Sequence, residues 1–378
     1  LQDMNTMMPG ITHWQSPNFH AFFPCATSGP AILGDLISTG LGINGMNWIT
    51  SPSATELESH VLDWLVDMMD LPKKFKSTEI GGGVLQDTAS SSSLVALIAA
   101  REKTSKGEIN NNGYNRKLTV YTSSQAHSSI EKAVKIAGIG KNNLRLVDVD
   151  NSFAMDVNHL RKLILQDIDN GLQPSFICAT VGTTSSTAID PVEEIGLICK
   201  EFGIWLHVDA AMAGPAALCP EYRFINSGVE YADSYTFNPH KWMLTNFDCS
   251  VFYIAKRELL IDAMTILPEY LKNKATESQT VFDFRDWGIP LGRRFRALKL
   301  WNVINYYGIT GLQEYIHEHM RNTQELKKWI DKDPNFEIIA PVPLTLICFR
   351  HKNGDQFNER LLNKMNESGK MYMTHTKL

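Results

Sequence analysis

A lysine and an aspartate carry the first chemical signal in this chain. Lys241 follows Ser234-Tyr235-Thr236-Phe237-Asn238-Pro239-His240, a strand-like approach ending in the turn signal Asn-Pro, so its amine is presented on a rim rather than along a helix face. Most lysines are solvated surface charges. Lys241 instead stands between His240 and the run Trp242-Met243-Leu244. Apolar neighbours desolvate an amine and lower its pKa, which is what a lysine that condenses with a carbonyl requires. Asp209 closes a second, buried-looking strand, Ile204-Trp205-Leu206-His207-Val208, and is followed by the small residues Ala210 and Ala211. A carboxylate there either caps the next helix or meets a cation.

A protonated pyridine ring is one such cation. Pyridoxal 5'-phosphate keeps its ring nitrogen protonated opposite a buried Asp, becoming an electron sink, and its aldehyde takes a lysine. His207-Val208-Asp209-Ala210-Ala211, followed downstream by Asn238-Pro239-His240-Lys241-Trp242, resembles the aromatic L-amino-acid decarboxylase family among the group II pyridoxal-phosphate decarboxylases. The likeness runs from Pro9-Gly10-Ile11-Thr12-His13-Trp14 to about Leu378.

That resemblance implies a fold-type I enzyme, working as a homodimer with composite active sites, that decarboxylates tryptophan, tyrosine, dopa or phenylalanine to the amine. It implies that Lys241 holds the cofactor, Asp209 faces the ring nitrogen and His127 stacks on the ring. Around the phosphate it sets Thr88, Ala89, Ser90, Ser234, Asn238, His240 and, from the partner subunit, Gly292; Thr184 and Ala211 are further cofactor contacts. Trp14, Phe22, Phe23 and Cys25 would line the substrate pocket, while Asn44 and Met46 would reach into the partner's site from 40–48. Tyr270 matches the lid tyrosine that returns a proton to the substrate Cα. Insect relatives that form aldehydes carry Asn at the His127 position and plant ones Phe at the Tyr270 position, so the two residues together favour decarboxylation over an aldehyde synthase. Cys25 stands where animal members often have Thr, and Met212 where the family usually has Tyr. The chain opens on Leu1 rather than Met. The family's segments before and after it are expected to be cut or trimmed here, which motivates a third reading, a silent paralogue that only partners.

The elements that must position these groups are legible in outline. Gly81-Gly82-Gly83 and the run Thr88-Ala89-Ser90-Ser91-Ser92-Ser93 read as a plain turn or as a phosphate cup, glycines letting the backbone approach a ligand and a Ser-rich helix start aiming N–H groups at an anion. His127 lies between a strand at 118–121 and an amphipathic helix at 130–136, a structural hydrogen-bonder or a cofactor contact. Strands expected at 144–149, 176–181, 204–209, 234–237 and 251–254 alternate with helices such as 157–168 and 192–202. This pattern predicts an α/β fold with a mostly parallel sheet covered on both faces and its site at the C-terminal strand ends. Residues 103–116 read as an exposed loop, 267–278 as a linker or lid, and 312–319, 324–330, 336–339, 344–349 and 356–368 as the helices and strands of a smaller α+β domain. The expected division is 1–28, a remnant carrying the pocket aromatics; 29–298, the large cofactor domain; and 299–378, a small domain, incomplete as it stands.

Bulk properties exclude other classes. The chain has 378 residues, is 43% hydrophobic and carries a net charge of −5, so neither a nucleic acid nor an anionic membrane is an expected partner. Its apolar runs are too short to span a bilayer and no signal peptide opens it, so a cytoplasmic place is expected. Cys25, Cys178, Cys199, Cys219, Cys249 and Cys348 form no Cys-x-x-Cys and lie mostly in apolar segments, which predicts free thiols and no metal site.

Overall fold

Strands that are apolar on both faces dictate the architecture. In the computed structural model, which describes residues 2–114, 117–266 and 281–378, seven strands form one sheet in the order β1-β7-β6-β5-β4-β2-β3. They are β1 (Gly82–Gln86), β2 (Leu118–Ser123), β3 (Leu144–Val147), β4 (Gln173–Thr180), β5 (Trp205–Asp209), β6 (Ser234–Phe237) and β7 (Ser250–Ile254). Only β7 runs against its neighbours. Alternate residues feed two cores. Ile177, Ala179, Leu206 and Val208 pack on one face with Val61, Leu65 and Leu300, whereas Phe176, Cys178 and Trp205 pack on the other with Leu97, Val120 and Val134. Burial on both sides is why these strands read as continuous apolar runs.

The covering helices start and stop where local chemistry says they should. Ser28 caps Gly29–Leu41, its hydroxyl accepting the Ala31 N–H, and the Asp156 carboxylate accepts the Asn158 and His159 N–H groups to open Val157–Asp169. Val192–Phe202 ends on Gly203 in the left-handed region (φ +71°), which turns the chain directly into β5. Among the described residues no helix is long and apolar enough to cross a membrane, and all six cysteines are free thiols.

Four expectations are corrected. Gly81-Gly82-Gly83 is no ligand loop: Gly82 and Gly83 begin the buried edge strand β1. A Cβ on Gly83 would lie 2.6 Å from the Tyr253 ring, one on Gly82 2.8 Å from Trp287, and one on Gly81 2.2 Å from two carbonyl oxygens. These glycines exist for packing. Residues 103–116 are not a loop throughout, because the Ala89–Ser105 helix runs through their start and a short helix, Glu108–Asn112, buries Ile109. The helices at 312–319 and 324–330 are parts of one long segment, Ala297–Lys332, broken at Gly308 (φ +62°), and its Leu300, Val303, Leu312 and Ile316 join the main core. The strand expected at 344–349 begins only at its end: β9 (Phe349–His351) pairs with β8 (Phe336–Ile338), ahead of the Asp355–Glu367 helix.

Candidate active site

The C-terminal ends of β5 and β6 form the floor. Asp209 pairs in register with Thr236, the Ala210 N–H donates to Thr236 O, and the Asn238 N–H donates to Ala211 O. Past Asn238 the chain makes one helical turn, Pro239–Trp242, entered through the proline and carrying His240 and Lys241. Asp209 is 4% exposed, and its Oδ1 accepts the Ala211 N–H at 3.0 Å. Burial pushes the Lys241 amine below its ordinary pKa, with the charges of Asp209 and Cys25 opposing the shift. Its Nζ lies 5.3 Å from the centre of the Phe23 ring. The sequence-predicted lysine, aspartate, Phe23 and Cys25 therefore share one environment.

Both histidines of the site have defined tautomers. His240 is buried, and its Nδ1 accepts the Cys249 N–H at 3.0 Å, leaving the ring hydrogen on Nε2. Burial first, then the Lys241 charge, lowers its pKa to about 4, so the ring is a neutral donor. His127 follows the end of β2; its Nδ1 accepts the Ser129 N–H at 3.2 Å, which again leaves Nε2 as the donor. Its ring is exposed at the rim, yet the protein packed around it lowers its pKa, Asp209 opposing the shift and Lys241 adding to it. His127 thus lies within electrostatic reach of both floor residues.

Two further segments bring polar groups toward the strand ends. Thr88 is the N-cap of Ala89–Ser105 and makes no side-chain cap. The N–H groups of Ala89 and Ser90 therefore have no partner within the helix, and the Ser90 hydroxyl is exposed. Thr184 is exposed on the turn after β4, where Gly182 N–H and Thr183 N–H both donate to Ala188 O. Sequence reasoning missed the residue that anchors this turn. Asp190 is buried, its carboxylate accepts the Thr180 and Met155 N–H groups at 2.8 Å each, and burial raises its pKa to about 7. The Asp-Pro pair closing the turn was the available signal.

Ser234 does not sit with the phosphate groups. It begins β6, at the far end from Asn238, and its hydroxyl is fully buried between the Trp205 Nε1–H and His207 Nδ1, each at 2.9 Å. Strand direction decides this: only the residue leaving the C-terminal end reaches the site. Asn44, Met46 and Gly292 gather elsewhere. The Arg293 N–H donates to Asn44 Oδ1, the Arg285 N–H donates to Met46 O, and a Cβ on Gly292 would lie 3.6 Å from the Asn44 amide. Arg293 is buried on Glu58 with N–O distances of 2.6 and 3.2 Å and also binds Leu85 O. Among the described residues no hydrogen bond, ion pair or ring contact joins this cluster to Lys241.

The pocket aromatics form a rim. Trp14 stacks on Phe22 at 5.8 Å and meets Phe19 at 5.0 Å; Trp14 and Phe22 are both exposed. Tyr270 lies outside the described residues.

The groups present fit pyridoxal 5'-phosphate. A desolvated amine, a buried carboxylate, a helix start with free N–H groups and a neutral histidine donor match its aldehyde, ring nitrogen and phosphate. The buried Asn238 Oδ1, which no group of the chain satisfies, adds an acceptor that a ligand would meet.

Residues 1–352 match the family described as the pyridoxal-dependent decarboxylase conserved domain. Tryptophan decarboxylase 2 of Oryza sativa subsp. japonica is 47% identical over 98% of this chain and 76% of its own length. Phenylacetaldehyde synthase of Arabidopsis thaliana is 48% identical over 98% of this chain and 77% of its own. A crystal structure of Oryza sativa TDC with PLP and tryptamine superposes with a TM-score of 0.96 at 39% identity, covering 100% of this chain and 80% of that one.

Proposed function

From the premise that the chain belongs to the pyridoxal-dependent decarboxylase family and is a fold-type I, PLP-dependent decarboxylase of aromatic L-amino acids, we propose how its own residues divide the work. The observation that carries this reading is the desolvated Lys241 amine set against buried Asp209, with His127 within electrostatic reach of both. Bound cofactor supplies the electron sink that lets the bond to the substrate carboxylate break. Lys241 is the nucleophile that would hold the cofactor through its aldehyde. Asp209 keeps the ring nitrogen protonated. The N–H groups of Ala89 and Ser90, the Ser90 hydroxyl and His240 Nε2–H hold the phosphate, with Thr88, Thr184, Ala211 and Asn238 completing the cofactor's surroundings. His127, neutral, would lie against the bound cofactor and keep water from the reacting Cα. Tyr270 delivers the proton to Cα, a role that rests on the family resemblance alone.

Trp14, Phe22, Phe23 and Cys25 contact the substrate ring, and Asn44, Met46 and Gly292 serve the partner's site in a homodimer. Two features support the second copy: the separate Asn44–Gly292 cluster, and an exposed apolar stripe of Ile32, Leu33, Leu36, Ile37 and Leu41 along one helix, for which a self-complementary copy is the natural cover. The free thiols suit a reducing compartment, and we place the enzyme in the cytosol.

A single-turnover incubation with L-tryptophan, L-tyrosine, L-dopa and L-phenylalanine tests the reading. Carbon dioxide and amine in equal amounts, without peroxide, are the expected products. The 48% identity to an aldehyde synthase makes the rival concrete: peroxide with aldehyde would establish it.

A further inference from the structure

The C-terminal stretch of the chain is clamped between the segment of Phe19 and the turn that carries Thr184. After Asp355–Glu367, Gly369 turns the backbone (φ +69°) and Met371-Tyr372-Met373 is gripped from both sides. On one side the Asn366 side chain donates to Met373 O at 3.0 Å and accepts the Met373 N–H at 2.9 Å. On the other, the Tyr372 N–H donates to Asn18 O at 2.9 Å and the His20 N–H donates to Tyr372 O at 2.7 Å, a parallel bridge between Phe19 and Tyr372. The two rings lie flat on each other, 5.7 Å apart at 2°. Further along, the Thr376 hydroxyl donates to Ser185 Oγ at 2.7 Å, and the Cys348 thiol donates to Ser185 O. Ser185 adjoins Thr184.

One short stretch therefore touches two segments, the aromatic rim and the Thr184 turn, that nothing in the sequence connects. Phe19 carries Trp14 at 5.0 Å and Phe22 at 6.5 Å, and Phe23, next along the chain, faces the Lys241 amine. Moving Tyr372 moves Phe19, and with it the wall against which a substrate ring would lie. We infer that Tyr372 is a specificity-determining positioning residue that sets the height of the aromatic wall, and that Thr376 is a positioning residue for the Thr184 turn. Neither touches the reacting atoms. The inference rests on the decarboxylase reading, with the wall as the substrate-ring contact.

The test uses holoenzyme carrying Tyr372→Ala, Tyr372→Phe or Thr376→Val. Kinetic constants are measured for L-tryptophan and L-tyrosine, and cofactor release after dilution is followed by absorbance. Tyr372→Ala is expected to shift the ratio of the two kcat/KM values about five- to tenfold while kcat on the better substrate stays within about twofold, since a ring contact is worth that much and pocket shape decides ratios of this size. Tyr372→Phe keeps the stack and the wild-type ratio. Thr376→Val hastens cofactor release and leaves the ratio alone. An unchanged ratio in Tyr372→Ala, or a parallel loss on both substrates together with cofactor, overturns the inference. Were the wild-type protein to release no carbon dioxide from either substrate, the decarboxylase reading would fail. The release rate of Thr376→Val would then still decide whether Thr376 positions the Thr184 turn, wild-type release refuting it.

Discussion

The floor and the wall of the site are built by opposite means. Asp209, Asn238 and His240 stand at or just past the ends of central strands, almost fully buried, each locked by a backbone or side-chain hydrogen bond. Trp14 and Phe22 stand in a segment with little regular structure, exposed, held by ring contacts with each other and Phe19. Phe22 even turns outward through a left-handed backbone (φ +59°), uncommon for a side chain of its size. Groups that act on a cofactor need fixed distances and low solvation, which strand ends inside a double-covered sheet supply. Groups that select among rings need apolar area and some adjustability, and an exposed aromatic rim supplies those.

The contrast predicts where each substitution is felt. Lys241→Ala strikes the floor hardest, with turnover falling on the order of 10³-fold or more as the proposed nucleophile is lost. It also has a signature without cofactor. The half-buried amine has a lowered pKa, so between that value and the ordinary 10.5 the unfolded chain binds more protons than the folded one. Stability of the cofactor-free protein should rise as pH climbs through that window and level off above it, and the Lys241→Ala variant should lack this slope. Thermal melts across the alkaline range read it directly; equal slopes would mean that the amine is not desolvated.

His127 joins the floor's electrostatics from the rim. With its pKa below the ordinary 6.5, it is neutral at pH 7. The acid limb of kcat/KM should therefore fall below pH 6.5, losing about tenfold per pH unit once the ring protonates. A limb centred above 6.5 would count against a desolvated ring, as would its persistence unaltered in His127→Asn.

On the wall, Phe22→Ala should raise KM about three- to tenfold and spare kcat, the loss of one ring contact. A matching fall in kcat would erase the distinction between floor and wall. Ser234→Ala should affect turnover least, although it lies only one strand length from Asn238. It strips partners from the Trp205 indole and His207, costing about 1–3 kcal/mol of stability in denaturant melts. Cofactor affinity should not move; if it does, Ser234 belongs to the phosphate site after all.

The sequence by itself determined which groups are candidates for the chemistry. Lys241 after Asn-Pro, Asp209 at the end of an apolar run and His127 between strand and helix are local patterns, because strand ends, turns and side-chain type are written in neighbouring residues. The mostly parallel sheet followed from the same alternation. Tertiary structure alone decided which surface each group meets. Gly81-Gly82-Gly83 looked like a ligand loop until the antiparallel pairing of β1 with β7 brought Tyr253 against Gly83. Ser234 shared a motif with Lys241, but strand direction carried it into the core. Asp190 drew no attention until the turn it anchors was seen closed, and nothing in either segment announces that Tyr372 stacks on Phe19. Sheet order, register and the return of distant chain set those contacts, and they are properties of packing rather than of any local stretch.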